Sequence, residues 1–226
     1  VESGSEVNAK GEEDKVNNKK GTHIMFKIVK ICLILFVLSL TVYCSSIPET
    51  HYYLIDYPVT GIEENSNPVY NIILGVTKFN VDPLYSDGRL VYRENPYEAK
   101  YYNYHRWITE PGKMVTDKTI DQLSASNLFK MVVLFPRISQ CDYILIGNIK
   151  ALEEWDEKKQ WFANVKIDFK LLDKKSHKLI WKKTVEKQNP VIKKSPFEVV
   201  TGINECVRLC VEEIQQELNS YFSGMK

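Results

Sequence analysis

The strongest regularity in the chain lies near its C-terminal end, where Phe197, Val200, Ile203, Val207, Cys210, Val211, Ile214, Leu218 and Tyr221 recur at spacings of three and four. That stripe predicts an amphipathic helix from Phe197 to about Phe222, opening after Pro190 and Pro196. Three strand-like segments precede it. "CDYILIGNIKALEEW" (141–155) is at first apolar on both faces, which suits a central strand. "WFANVKIDFKLL" (161–172) puts Trp161, Ala163, Val165, Ile167, Phe169 and Leu171 on one face and Asn164, Lys166, Asp168 and Lys170 on the other. Such alternation means one buried face and one wet face. "LIWKKTVEK" (179–187) completes a meander through turns at "DEKKQ" and "DKKSHK". The acid–base run "EEWDEKK" reads as a solvated hairpin tip, and His177 as part of the next turn.

Upstream, "VYNIILGVTKF" (69–79) is rich in β-branched and aromatic residues and reads as a core strand. Tyr52 to Tyr57 is a short strand candidate. "GRLVYRENPYEAKYYNYHRW" (88–107) reads as two strands around a turn at Glu94-Asn95-Pro96. "TEPGKMVTDKTIDQLSASNLFKMV" (109–132) opens with Thr-Glu-Pro, a helix-start signature, and carries Met114, Ile120, Leu123 and Leu128 as its stripe. The sum is an α+β domain, with a largely antiparallel sheet and two main helices packed on one face.

The N-terminal pattern obeys a different logic. Residues 1–24 are polar and charged, too poor in large apolar side chains to offset the entropy of ordering. They read as disordered, or as a misassigned extension upstream of a true start at Met25. Then Lys27 and Lys30 precede thirteen largely apolar residues, Ile31 to Tyr43, and Cys44-Ser45-Ser46 follows. This is the layout of a secretory signal. A helix of that length extends only about 20 Å, short of the roughly 30 Å hydrocarbon core. Cys44 is therefore the candidate lipidation site, with an uncleaved anchor and ordinary secretion as the other readings. Tyr43 stands where a small residue normally precedes a lipidated cysteine. The expected organisation is 1–24 extension, 25–43 lipoprotein signal peptide, 44–68 lipidated tether with a first short strand, and 69–222 folded domain.

Composition narrows the function. Residues 44–226 hold 24 basic and 24 acidic side chains, a neutral balance that offers phosphates no broad basic surface and argues against nucleic acid. The sequence contains no CxxC, HExxH, GxSxG, P-loop or dinucleotide fingerprint, so no catalytic residue, metal ligand or cofactor is implied. Cys206 and Cys210, four apart on the last helix, read as core fillers rather than a redox or metal pair. Cys141 with His105 as thiol and base is the weakest of the chemical readings. The aromatic run Tyr92, Tyr97, Tyr101, Tyr102, Tyr104 and Trp107 is either a ligand-stacking surface or, for Tyr102, Tyr104 and Trp107, core.

At "LVYRENPYEAKYYNYHRWITEPGKMV" (90–115) the chain resembles the ABC-type transport auxiliary lipoprotein family, which includes the PqiC-like lipoproteins. Tyr92-Arg93, Pro96-Tyr97, Tyr104, Arg106-Trp107 and Pro111 carry the match; Asp142-Tyr143 and Tyr53-Leu54 extend it to roughly 52–222. The resemblance places the lipidated cysteine at Cys44 and implies a non-enzymatic envelope protein without cofactors. It implies an accessory subunit working beside an ATPase, a permease and an MCE-domain (MlaD-like) substrate-binding protein in lipid or hydrophobic-substrate transport. It also implies a palmitate-type anchor in the membrane, facing the periplasm, and is compatible with a homo-oligomer; Ser45 rather than Asp after the cysteine adds the expectation of the outer membrane, by the enterobacterial sorting rule for lipoproteins. On that resemblance the motif residues Tyr92, Arg93, Tyr97, Tyr104, Arg106, Trp107 and Pro111 are structural or partner-facing. A periplasmic carrier that itself holds a lipid is the alternative.

Overall fold

The computed structural model describes residues 25–34, 48–59, 67–158 and 160–225. The chain divides into two compact units, Val1–Pro48 and Glu49–Lys226. In the first unit residues 25–34 are helical (α1). The extension 1–24, Tyr43 and the candidate anchor Cys44 lie outside the described residues. No helix among the described residues is long and apolar enough to cross a membrane.

The second unit runs β1 (His51–Tyr53), β2 (Tyr70–Thr77), β3 (Asn80–Val81), a 3₁₀ turn (Pro83–Tyr85), β4 (Arg89–Asn95), β5 (Glu98–Trp107), α2 (Pro111–Ala125), β6 (Phe129–Phe135), β7 (Tyr143–Glu157), β8 (Gln160–Asp173), β9 (Leu179–Val191) and α3 (Pro196–Ser223). The class is α+β, and the sheet is mixed. Its longest ladders, β7–β8 and β8–β9, are antiparallel, as is β4–β5. The pairs β1–β5, β2–β6, β2–β7, β3–β7 and β4–β7 are parallel.

β7 is the spine. One edge pairs with β8 along its whole length. The other edge is shared in succession by β2 at Tyr143–Leu145, β3 at Asn148–Ile149 and β4 at Glu153–Trp155. Both of its faces are covered as well, Ile144, Leu145, Ala151 and Leu152 all being buried, which is the pattern its sequence carries. β6 extends the sheet beyond β2, and β5 and β1 extend it beyond β4.

The alternation of β8 holds from Ala163 onward on the inner face, where Ala163, Val165, Ile167, Phe169 and Leu171 are fully buried. Trp161 is only half covered, and Asn164, expected on the wet face, is buried at 4% exposure against Glu153. The inner residues face α3, whose Ile203, Val207, Cys210, Val211, Ile214 and Leu218 are buried with them. Each such aliphatic side chain contributes about 1.5–3 kcal/mol on burial, so this layer supplies most of the unit's cohesion. Ser195 caps α3, its hydroxyl accepting the Glu198 backbone N–H at 3.3 Å, in the S-x-x-E arrangement of a capping box. Phe197, placed on the apolar stripe by its spacing, is instead 65% exposed. It is in the first turn, where Val199 and Val200 fill the core side.

The helix expected over 109–132 ends at Ala125, with Ser126 closing it and Asn127 in the left-handed region. The following "FKMVVLF" forms β6, because its β-branched and aromatic residues pair with β2 rather than continue the stripe. The stretch between β2 and β4 folds back as β3 and the 3₁₀ turn, and carries Phe79 inward. The Phe79 ring meets Phe169 edge-on at 5.7 Å and sits against Gly147 of β7. A methyl group at Gly147 would overlap that ring. Gly147→Ala is expected to cost about 1–3 kcal/mol, read as a lower urea midpoint at unchanged slope; an unaltered midpoint would show that Phe79 is free to move.

Candidate functional site

The aromatic segment that the sequence singles out is the β4–β5 hairpin and its connection to α2. At the hairpin turn Asn95 Oδ1 accepts the backbone N–H groups of Tyr97 and Glu98 at 2.9 and 3.0 Å. This Asx turn holds Tyr97 outward, 96% exposed. At its far end β5 uses more residues than β4 between the pairs Val91–Tyr101 and Arg89–Arg106. The bulge turns Asn103 and Tyr104 to solvent and leaves Trp107 buried. The Trp107 backbone N–H donates to Gly88 O at 2.7 Å, and Pro111 opens α2 in a buried position. Arg106 is half-buried opposite Arg89 on one side and Tyr52 on the other.

Arg93 does something else. Its Nη2 donates to Glu153 Oε1 at 2.6 Å, while Glu153 Oε2 accepts the Tyr85 hydroxyl at 2.6 Å. Asn164 Nδ2 adds a longer bond of 3.4 Å, and the guanidinium lies 5.0 Å from the Trp155 ring centroid. Glu153 is 0% exposed. A buried carboxylate persists only when paired and hydrogen-bonded, so Arg93 and Tyr85 fasten β4 and the 3₁₀ turn to β7.

On the opposite face of β7 lies a second acidic group. Tyr92 packs on Tyr102 at 4.9 Å, and the Tyr102 hydroxyl donates to Glu154 Oε2 at 2.8 Å. Glu154 is 1% exposed, and its Oε1 and the Oδ1 of Asp156 have no hydrogen-bond partner among the described residues. Burial pushes Glu154 up to about 7, the Tyr102 bond opposing it and Asp156 reinforcing it; burial raises Asp156 too. The two side chains stand two residues apart on one strand, and burial favours the protonated form of each. Beyond Tyr102, the His105 ring stacks on His51 at 5.1 Å, with the Tyr53 hydroxyl 2.8 Å from its Nδ1. Burial and then His51 hold His105 below the usual histidine range.

"EEWDEKK" is thus no solvated tip: β7 runs through it to Glu157, and only its end is wet. The motif residues do not converge on one spot. Arg93, Trp107 and Pro111 point into structure, Tyr92 and Arg106 are half-covered, and Tyr97 and Tyr104 face solvent. Cys141 lies beside Gly75 at the far end of β7, separated from His105 by β4 and most of the spine. Cys206 and Cys210 are free and fully buried, and burial lifts both thiols, Cys206 to about 12. Among the described residues no group of three or more His, Cys, Asp or Glu is placed to hold a metal. Sequence reasoning missed Glu153, Glu154 and Tyr85. The available signal was the strand pattern itself, since two adjacent glutamates inside a central strand put one on each covered face.

The family model described as ABC-type transport auxiliary lipoprotein component matches residues 53–215. No curated protein matches the chain significantly. Among solved structures the chain is similar to the Xanthomonas campestris protein XCC0632, with 17% identity, TM-score 0.66, and 76% of this chain and 99% of that one covered. An uncharacterized protein is similar at 15% identity and TM-score 0.62, with coverages of 76% and 99%. A PelC dodecamer chain from Paraburkholderia phytofirmans is more distant, at 14% identity and TM-score 0.39, with coverages of 63% and 88%.

Two stability measurements check this geometry. Arg93→Met leaves Glu153 buried without its cation and is expected to cost about 3–5 kcal/mol, part of which Glu153→Gln restores in the double variant. For Glu154 the folded value lies above the ordinary 4.5, so the proton's contribution is full below that pH and is lost as pH rises through about 7. Relative to Glu154→Gln, the parent protein is expected to lose about 1–3 kcal/mol between pH 5 and pH 8. Parallel profiles in urea unfolding would contradict the raised Glu154 carboxyl.

Proposed function

We propose, because this chain belongs to the ABC-type transport auxiliary lipoprotein family, that it is a non-catalytic docking subunit held in the cell envelope by lipid on Cys44. In this reading the domain faces the periplasm from the outer membrane. It works with a permease, an ATPase and an MCE/MlaD-like substrate-binding protein in moving lipids or other hydrophobic cargo. Energy for transport comes from the partners, since the sequence has no nucleotide loop.

The observation that carries docking over carriage is the filled layer between sheet and helices. A lipid carrier needs an enclosed, apolar-lined volume of several hundred Å³. Here Phe79, Phe169, Leu171, Ile203, Ile214 and Leu218 occupy that layer, each fully buried. A large hollow among the described residues, about 750 Å³, opens at the surface and is lined by Asp56, Lys118 and Asp121 with Tyr57 and Val59. With Pro58, Ser124 and Ala125 completing it, the lining is mixed and the hollow is open rather than enclosed.

The motif residues divide the labour accordingly. Arg93, Trp107 and Pro111 hold the hairpin in place, and Tyr97 and Tyr104 remain available to a partner. Purification from detergent-solubilised envelope, with mass spectrometry of proteins and lipids, tests the reading. Permease, ATPase and MCE-type subunits are expected to co-purify without stoichiometric lipid; bound lipid without those subunits would favour the carrier instead.

A further inference from the structure

The free edges of the sheet differ in how they are defended. An edge strand offers a row of unpaired N–H and C=O groups to any other strand, and folded proteins blunt it with charge, proline, bulges or shortness. Among the described residues β9 pairs with β8 alone, and its thirteen residues carry Lys182, Lys183, Glu186, Lys187 and Pro190. β1 is three residues long. The part of β5 that β1 leaves uncovered holds Glu98, Lys100 and the bulge. β6 has no such device. Its seven residues, "FKMVVLF", contain one charge, Lys130, and no proline, and the irregularity in its ladder is taken up by β2 between Tyr70 and Ile73. Among the described residues β6 pairs with β2 alone and ends that branch of the sheet.

A short β-branched and aromatic segment with little charge is the composition that pairs most readily with further strands. Met131 is 50% exposed, Val132, Leu134 and Phe135 are half-buried, and Ile138 just beyond is 46% exposed. The order of the side chains selects the occupant. Read in either direction, the segment has phenylalanine at both ends and aliphatic residues around Val132. Antiparallel pairing with a second copy, about a two-fold axis through Val132, sets Phe129 opposite Phe135 and Met131 opposite Val133. Residues directly opposite share a face, so aromatic meets aromatic and aliphatic meets aliphatic. Lys130 falls opposite Leu134, which keeps the two Lys130 positions about 14 Å apart along the strands. No other centre pairs all seven residues. A two-fold contact uses the same edge on both copies and then closes, and the defended edges left outside do not extend it.

We propose that β6 is an interface between two copies of this chain, joined edge to edge into one continuous sheet with Val132 on the axis. A standard interface buries about 800 Å² on each partner. A seven-residue edge with Met131 and Ile138 beside it offers less, so the pair is reversible and forms between about 1 and 100 μM. β2 and β7 separate β6 from the β4–β5 hairpin. The pair therefore carries one exposed Tyr97 on either side of its axis. Pairing is a property of the folded unit and does not rest on the anchor.

The test uses the full chain, purified in detergent, with Cys141→Ala as background. Two Val132 Cα atoms meeting on the axis stand about 4.5–5.5 Å apart, within the reach of a disulfide. Val132→Cys is therefore expected to give severalfold more disulfide dimer under copper phenanthroline than Ser176→Cys in the β8–β9 turn. Detergent-corrected light scattering is expected to rise from monomer to dimer mass over the micromolar range. Met131→Lys, which puts like charges two positions apart across the axis, is expected to move that rise upward by about tenfold or more with the urea midpoint kept. Monomer mass throughout, with cross-linking at 132 no greater than at 176, overturns the proposal. In cells, benzoylphenylalanine in place of Lys130 is expected to give an adduct of twice the chain's mass. An adduct with a different protein assigns the edge to a foreign strand and overturns pairing between copies.

Discussion

The paired edges of β7 set the terms for everything else in the folded unit. A strand hydrogen-bonded to β8 along one edge and to β2, β3 and β4 in turn along the other, with both faces buried from Ala151 to Glu154, leaves little room for water there. Whatever polar group it carries must find its partner inside the protein. Glu153 finds Arg93 and Tyr85, and Glu154 finds Tyr102 and Asp156. Arg93, Tyr102 and Tyr85 come from β4, β5 and the 3₁₀ turn, and Asp156 from β7 itself. The same contacts that neutralise the buried acids therefore lock the aromatic hairpin onto the spine and set where Tyr97 projects.

This arrangement gives the family motif a physical meaning. Arginine in the "YR" pair matches a carboxylate that sequence distance conceals, and a buried pair specifies one geometry more than it adds stability. Tryptophan in the "RW" pair buries its ring in the core while its backbone N–H closes the base of the hairpin on the Gly88 carbonyl, and proline then opens α2. The segment is a frame whose tip stays free. A domain of this kind, packed solid between sheet and α3, fits a part that positions other proteins better than one that encloses cargo.

Much of the fold was legible. Period-two alternation in β8 and the three–four spacing of α3 each reflect a single buried face, and both survive in the structure apart from the half-covered Trp161 and buried Asn164 in β8 and Phe197 and the half-covered Tyr221 in α3. The failures have definite causes. Leu128 prolonged the apparent stripe of α2, yet Asn127 takes a left-handed conformation there and "FKMVVLF" pairs with β2. In "EEWDEKK" charge was read as wetness, because the cation and hydroxyl that bury Glu153 are sixty and sixty-eight residues away in the chain. Tyr104 was placed inside by simple alternation, which the β5 bulge breaks. Local pattern reports burial well, but not the pairing of distant polar groups or a change of register.

The central claim is that an inert, solid-cored module is fixed to the envelope through one sulfur. Metabolic labelling with palmitate, followed by fractionation of cells making either the parent protein or Cys44→Ser, tests it most directly. Label is expected to enter the parent protein alone and to stay with it in the membrane fraction. Unlabelled parent protein found free in the periplasm would contradict the account.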